Sequence, residues 1–232
     1  MSQPDRRGLQ EHRGIADGTQ APTNESLREV AYSRLKAAII KSHYHSGQFL
    51  NVSILANELK IGRTPIHEAI MRLDLEGLVD IVPRKGIVVR PATLSEARDI
   101  AAVRALNEAQ CAAWAAERAD RQNLARLDAI LNEASRAIAD RDVDRALWLD
   151  RQFHATISEI AGNRILAGIL STIHERSHRY WYLSFSSVMH MEKVQQQHTD
   201  ILEAIRARDP LRASQMSRLH VEKFLENVTR LF

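Results

Sequence analysis

The stretch Gly62-Arg63-Thr64-Pro65-Ile66-His67-Glu68-Ala69-Ile70-Met71-Arg72-Leu73 constrains the fold of this chain more than any other. Thr64 reads as a helix N-cap, with Pro65 at the first helical position, where a missing N–H costs nothing. Ile66, Ile70 and Leu73 recur at helical spacing and form one apolar stripe. Off that stripe lie Arg63, Thr64, His67 and Arg72, a polar and partly cationic face that begins at the helix N-terminus. A DNA-recognition helix needs this form: apolar toward its own domain, with a few groups near its start that reach bases and phosphates. Most amphipathic helices with two arginines are merely solvated, so the neighbouring segments decide between the two readings.

Those neighbours favour recognition. Residues 26–41 carry Leu27, Val30, Ala31, Leu35, Ala38 and Ile39, an amphipathic helix. Ser46-Gly47 breaks the chain, and residues 52–59 make a short second helix capped by Asn51 or Ser53. A tight turn through Lys60-Ile61-Gly62 leads into the helix above. The β-branched runs 78–82 and 87–89 then flank Pro83-Arg84-Lys85-Gly86, a hairpin pattern. Three helices and a hairpin with a basic tip predict a winged helix-turn-helix over 25–91, in which Arg84, Lys85 and Gly86 form a tip that reaches a phosphate or the minor groove. Charge agrees weakly: residues 1–92 hold 13 Lys and Arg against 10 Asp and Glu, whereas the remainder is balanced at 19 and 19. Residues 1–24 are polar and aperiodic, and read as a disordered arm.

From Thr93-Leu94-Ser95-Glu96, a capping-box pattern, everything reads helical. Helices are expected over 94–119, 122–140, 143–161, 163–188, 190–207 and 210–231, separated by Asp120-Arg121, Arg141-Asp142, Gly162-Asn163 and Asp209-Pro210. The expected fold class is therefore mainly α: an N-terminal winged helix-turn-helix and, over 92–232, an all-α antiparallel bundle of about six helices. Cys111 is the only cysteine, which excludes an intrachain disulfide and a thiolate zinc cluster. No apolar run approaches the ~18 residues of a membrane span, and no signal peptide is evident, so a cytoplasmic location is expected.

Six of the ten histidines fall between His154 and His220. Asp150 and His154 are i and i+4, on one helix face. His198 and His220 each lie eleven residues from Asp209, so an antiparallel hairpin turning there sets both at one level, roughly 16 Å from the turn at ~1.5 Å per residue. One carboxylate and three imidazoles at one level would suit a divalent ion, Zn²⁺ or alternatively Ni²⁺. The plainer reading is four separate interior or surface groups. Arg179-Tyr180-Trp181-Tyr182-Leu183-Ser184-Phe185 is unusually aromatic for a chain with 5% aromatic residues. Such a cluster is commonly core, but Trp181 and Tyr182 are also candidates to stack on a flat effector.

Gly62-Arg63-Thr64-Pro65-Ile66-His67-Glu68-Ala69-Ile70, with Leu73, Glu76-Gly77-Leu78-Val79 and Lys85-Gly86, resembles the winged-helix domain of the GntR family of bacterial regulators. The helical remainder is similar to the FCD ligand-sensing domain of the FadR subfamily, and its six helices resemble the shorter, VanR-like group. The resemblance covers about residues 26–231. It implies a homodimer on a palindromic double-stranded DNA operator, and a metal site in the pattern D-x-x-x-H…H…H, matched at Asp150, His154, His198 and His220. It also implies a small carboxylate effector. Arg104 matches an arginine that faces the family's pocket, and a surface position or an ion pair with Glu108 is the alternative. The chain departs from the family pattern at His67 and Ser53, where arginine is usual, at Gly62, where serine is usual, and at Asn107, where glutamate is usual. Arg63 keeps one bidentate contact to guanine, whereas His67 has no fork to offer. The function implied is a ligand-responsive regulator, a repressor of a catabolic operon. A metal sensor is the alternative, and a metal-dependent hydrolase a weaker one, since no HExxH-like pairing or nucleophile motif is present.

Overall fold

A computed structural model describes residues 26–184, 188–230 and 232. The arm expected over 1–24 lies outside the described residues. Ser26 caps the first helix, α1 (Leu27–Ile40), its Oγ accepting from the Glu29 N–H at 3.3 Å. Asn51 caps α2 (Val52–Leu59), with Oδ1 accepting from Ser53 N at 2.8 Å and Ile54 N at 3.3 Å. The helix stops at Lys60, whose φ of +55° is left-handed.

The recognition-type helix, α3 (Arg63–Leu75), begins earlier than its sequence pattern suggests. Gly62, not Thr64, is the N-cap, without a side-chain cap bond, and Pro65 is the third helical residue rather than the first. The proline fits because no N–H in the first turn has an intrahelical partner. The ladder starts one residue later, where Ile66 N donates to Gly62 O at 3.4 Å.

The wing is β2 (Val79–Val82) and β3 (Gly86–Val89), paired antiparallel from Val79↔Val89 to Val82↔Gly86. Arg84 at φ +63° and Gly86 at φ +110° close the tip, and the second value suits a residue without Cβ. A third strand, β1 (Phe49–Leu50), pairs with the other edge of β3 in the order β1-β3-β2. The sequence reading missed it because two residues carry no period. Leu35, Ile39, Leu55, Ile66, Ile70, Leu73, Val79 and Val89 make the core of this part.

The bundle is α4 (Leu94–Arg118), α5 (Arg121–Ala139), α6 (Val143–Ile160), α7 (Arg164–Ser184), α8 (Val188–Arg206) and α9 (Pro210–Thr229). Among the described residues, these six helices are the ones the periodicity predicts. The capping box at α4 forms only by half. Thr93 Oγ1 accepts from Glu96 N at 3.2 Å, but the Glu96 carboxylate accepts instead from Tyr180 Oη at 2.8 Å and from Arg176. A tertiary partner outcompetes the local one. α4 packs along α9, its inner face lined by Ala97, Ala101, Ala109, Ala112 and Ala116, which let the two backbones run close. Asp209 caps α9 and Pro210 is its first residue, so α8 and α9 form the expected hairpin.

Candidate functional site

Five helices meet at one level of the bundle. α4 brings Arg104 and Glu108, α6 brings Asp150 and His154, α7 brings His174, α8 brings His198 and α9 brings His220. The i, i+4 spacing puts both members of each pair on one helix face. The rings of His154, His198 and His220 stand 4.7–5.1 Å apart, and one nitrogen from each lies within 4.8 Å of the others. Asp150 Oδ1 is 3.4 Å from His198 Nε2. Among the described residues, Asp150 Oδ1 and the Nε2 atoms of His154, His198 and His220 are buried without a hydrogen-bond partner. Leaving one such atom dry and unpaired costs about 1–3 kcal/mol, and here the three imidazoles gather within ligand distance of one another while Asp150 Oδ1 stands beside His198.

The outer sides of two rings are held. His154 Nδ1 lies 3.1 Å from Glu108 Oε2, and His220 Nδ1 lies 3.0 Å from Gln197 Oε1. Both partners are acceptors, so each Nδ1 carries a hydrogen and each ring turns its Nε2 inward. Glu108 is the hub of this outer layer. It also accepts from His174 Nε2 at 2.9 Å and from Arg104 Nε at 2.5 Å. Burial alone would raise the Glu108 carboxyl, but Arg104 and the two imidazoles hold it well below the usual range. The group Glu108, His154 and His174 also has a ligand-like spacing. With a guanidinium already on the carboxylate, it needs no ion.

Arg104 lies in the bundle interior, 1% exposed, and forms the ion pair with Glu108. Only Nη1 is left without a partner among the described residues. Trp181 is buried, its ring 6.1 Å from that of His220 at an interplanar angle of 24°. It lines a cavity of about 10 Å³ with Arg104, Asp150, Arg151, His154 and His174. Tyr182 is half-buried against the hydrophobic cluster of Trp181 and Phe224 and does not line that cavity. Phe185 lies outside the described residues.

At the other end of the chain Arg63, Thr64 and His67 are exposed on the first turns of α3, and Arg84, Lys85 and Gly86 are exposed at the wing tip. Arg72 is differently placed. Its guanidinium sits 3.6 Å over the Tyr32 ring and bonds Glu29 at 3.0 Å, with Glu76 at 3.4 Å. It ties α3 to α1.

Sequence reasoning missed Glu108 as a hub, His174 and Gln197. The i, i+4 spacing of Arg104 and Glu108 was a usable signal for the ion pair; for His174 and Gln197 there was none, since the contacts cross helices.

Burial pushes His174 and His178 down to about 4, and His198 and His220 well below the usual histidine range. It pushes the Asp150 carboxyl up. In the unfolded chain a histidine titrates near 6.5, so unfolding takes up protons between about pH 6.5 and 4. Stability of the metal-free protein is full above that window and falls within it, by about 1.4 kcal/mol per pH unit for each such histidine. A thermal melt series should show a steep loss below about pH 6.5, and His178→Phe should flatten the slope by one proton. A midpoint independent of pH would contradict this.

The comparisons with known proteins accord with this layout. Residues 27–89 match the model of the bacterial regulatory proteins of the gntR family, and residues 99–223, more than half of the chain, match the FCD domain. The HTH-type transcriptional repressor RspR of Escherichia coli K12 is 24% identical over 213 residues, covering 92% of this chain and 93% of that protein. The Nta operon transcriptional regulator of Aminobacter aminovorans is 27% identical over 83% of this chain and 90% of its own length. The solved structure of Escherichia coli McbR/YncC is similar in fold, with a TM-score of 0.76 at 19% identity over 88% of this chain and 98% of that one. Among the described residues no helix is long and apolar enough to cross a membrane. The chain belongs to the GntR family of bacterial regulatory proteins with an FCD domain, and is a DNA-binding transcriptional regulator, not an enzyme.

Proposed function

We propose that the protein is a metal-dependent, effector-responsive repressor that binds a palindromic operator as a homodimer. Residues 25–91 form its DNA-binding unit and 92–232 its sensing and dimerising unit. The observation that carries the metal reading is four buried atoms without partners, the Nε2 atoms of His154, His198 and His220, whose rings gather at one level, and Asp150 Oδ1, 3.4 Å from the Nε2 of His198. A divalent cation among them satisfies all four and supplies a Lewis-acidic centre to which an effector carboxylate can bind. Glu108 and Gln197 serve that ion at one remove by fixing the tautomers of His154 and His220. Arg104 Nη1 has no partner among the described residues, so its N–H groups remain to donate to an effector from one nitrogen, while Nε is held by Glu108.

On DNA, Arg63 reads a base edge, Thr64 and His67 approach the neighbouring backbone, and Arg84 and Lys85 carry the wing to a phosphate. Two relatives are named as repressors, RspR and GlaR, and we carry that role to this chain.

Operator affinity separates the readings. Arg63→Ala is expected to weaken specific binding by about 1–3 kcal/mol, and Lys85→Ala to lower the salt dependence by about one phosphate contact. Unchanged affinity in Arg63→Ala would remove α3 from base recognition. Chelation that abolishes DNA binding without any effector would make the ion itself the signal and the protein a metal sensor.

A further inference from the structure

The cavity beside the histidine cluster is about 10 Å³, room for one water and no metabolite. A second, open groove of about 590 Å³ runs between α6 and α7, within the range of small-molecule sites. The two share Arg151 and His174 as walls. The groove exists because the helices face each other there with small residues, Ala155 and Ser158 on α6, Ala167 and Ser171 on α7. Its carboxylate, Glu159, is taken by Arg126 at 2.7 Å, leaving Arg151 and Arg164 to set a cationic lining.

Arg151 also leads out of the bundle. Its guanidinium bonds Glu175 on α7, and the same carboxylate accepts from Lys36 of α1. Lys36 Nζ donates to Glu76 at 2.9 Å and to Tyr32 Oη at 2.7 Å, and Glu76 is the C-cap of α3. A chain of charges therefore joins the groove wall to the end of the recognition helix. Its two bundle members sit next in sequence to site residues, Arg151 beside Asp150 and Glu175 beside His174. Glu76 and Glu175 together keep the buried Lys36 ammonium in place.

We propose that the α6–α7 groove binds a small organic monocarboxylate anchored by Arg151, and that the bound anion competes with Glu175 and so loosens the Arg151–Glu175–Lys36 chain that docks α1 on the bundle. The inference rests on the reading of the bundle as an effector domain, and is independent of the metal. The shape is an apolar body against alanine methyls with its charge at Arg151, and Glu175 is the carboxylate it replaces.

Benzoate is a suitable probe of that chemistry on the full-length protein. Titration followed by NMR should be saturable with a dissociation constant of about 1 mM. Arg151→Gln and the groove-filling Ala167→Trp should each weaken it at least tenfold, and Arg136→Ala, on the exposed face of α5, should leave it unchanged. Amide hydrogen exchange in α1 should rise on adding benzoate in the wild type and not in Glu175→Gln. Absence of saturable binding up to about 50 mM, or equal binding by Ala167→Trp, would overturn the site. Binding without any change in α1 would overturn the coupling. A change of oligomeric state in Ala167→Trp would make the groove a subunit interface instead. Loss of benzoate binding in chelator-treated wild type would place the anion at the histidine cluster, where the metal reading puts it.

Discussion

Replacing His198 with alanine is expected to strip a divalent ion from the purified protein, from about one per chain to a small fraction. His198 Nε2 stands 3.4 Å from Asp150 Oδ1 and within 4.8 Å of the ligand nitrogens of His154 and His220, so its loss breaks the ligand set at its centre. A ligand held at about a thousand times its dissociation constant stabilises the folded state by about 4 kcal/mol. For a chain of this length that corresponds to a fall in Tm of about 10 °C. Elemental mass spectrometry and thermal melts check both halves. Chelator-treated wild type should melt with the variant, because the two then lack the same ion. A wild type that holds no ion would turn the imidazoles into direct hydrogen-bonding groups for the effector.

Arg104→Met should cost about 3–5 kcal/mol of folding stability, because it strands a buried carboxylate. Glu108 is 4% exposed and is kept ionised by Arg104 together with His154 and His174. The two imidazoles donate hydrogen bonds but bring no formal charge while neutral. In the double variant Arg104→Met/Glu108→Gln the amide oxygen still accepts from an imidazole and no charge is left uncompensated, so more than half of the loss should return. Denaturant melts measure this. A loss below about 1 kcal/mol in Arg104→Met would mean that the imidazoles alone compensate Glu108.

Local signals account for much of the fold. Ser26, Asn51 and Asp209 each cap the helix that follows them, and the apolar period carries each helix to within a few residues of its end. Where the local reading erred, a competing contact is visible. Proline is common at the first helical position, where the pattern puts Pro65, yet any first-turn position leaves its missing N–H harmless, and it is the third residue of α3. The local pattern has Glu96 closing a capping box on Thr93, yet Arg176 and Tyr180, 80 and 84 residues away, take its carboxylate. The strand Phe49–Leu50 has no period of its own and exists because β3 offers it an edge.

The sequence by itself determined the helices, their order and the level of the histidines. The hairpin at Asp209-Pro210 equalises the heights of His198 and His220 by counting alone, and i, i+4 spacing pairs Asp150 with His154. What only the tertiary structure decided is which neighbour each polar group meets. Glu108 gathers Arg104, His154 and His174 from three helices, Gln197 turns the His220 ring, and Arg151 reaches Lys36 through Glu175. Those partners depend on how α4, α6 and α7 are rotated and offset against one another. Packing of the whole apolar interior sets that rotation, and no single stretch of chain encodes it.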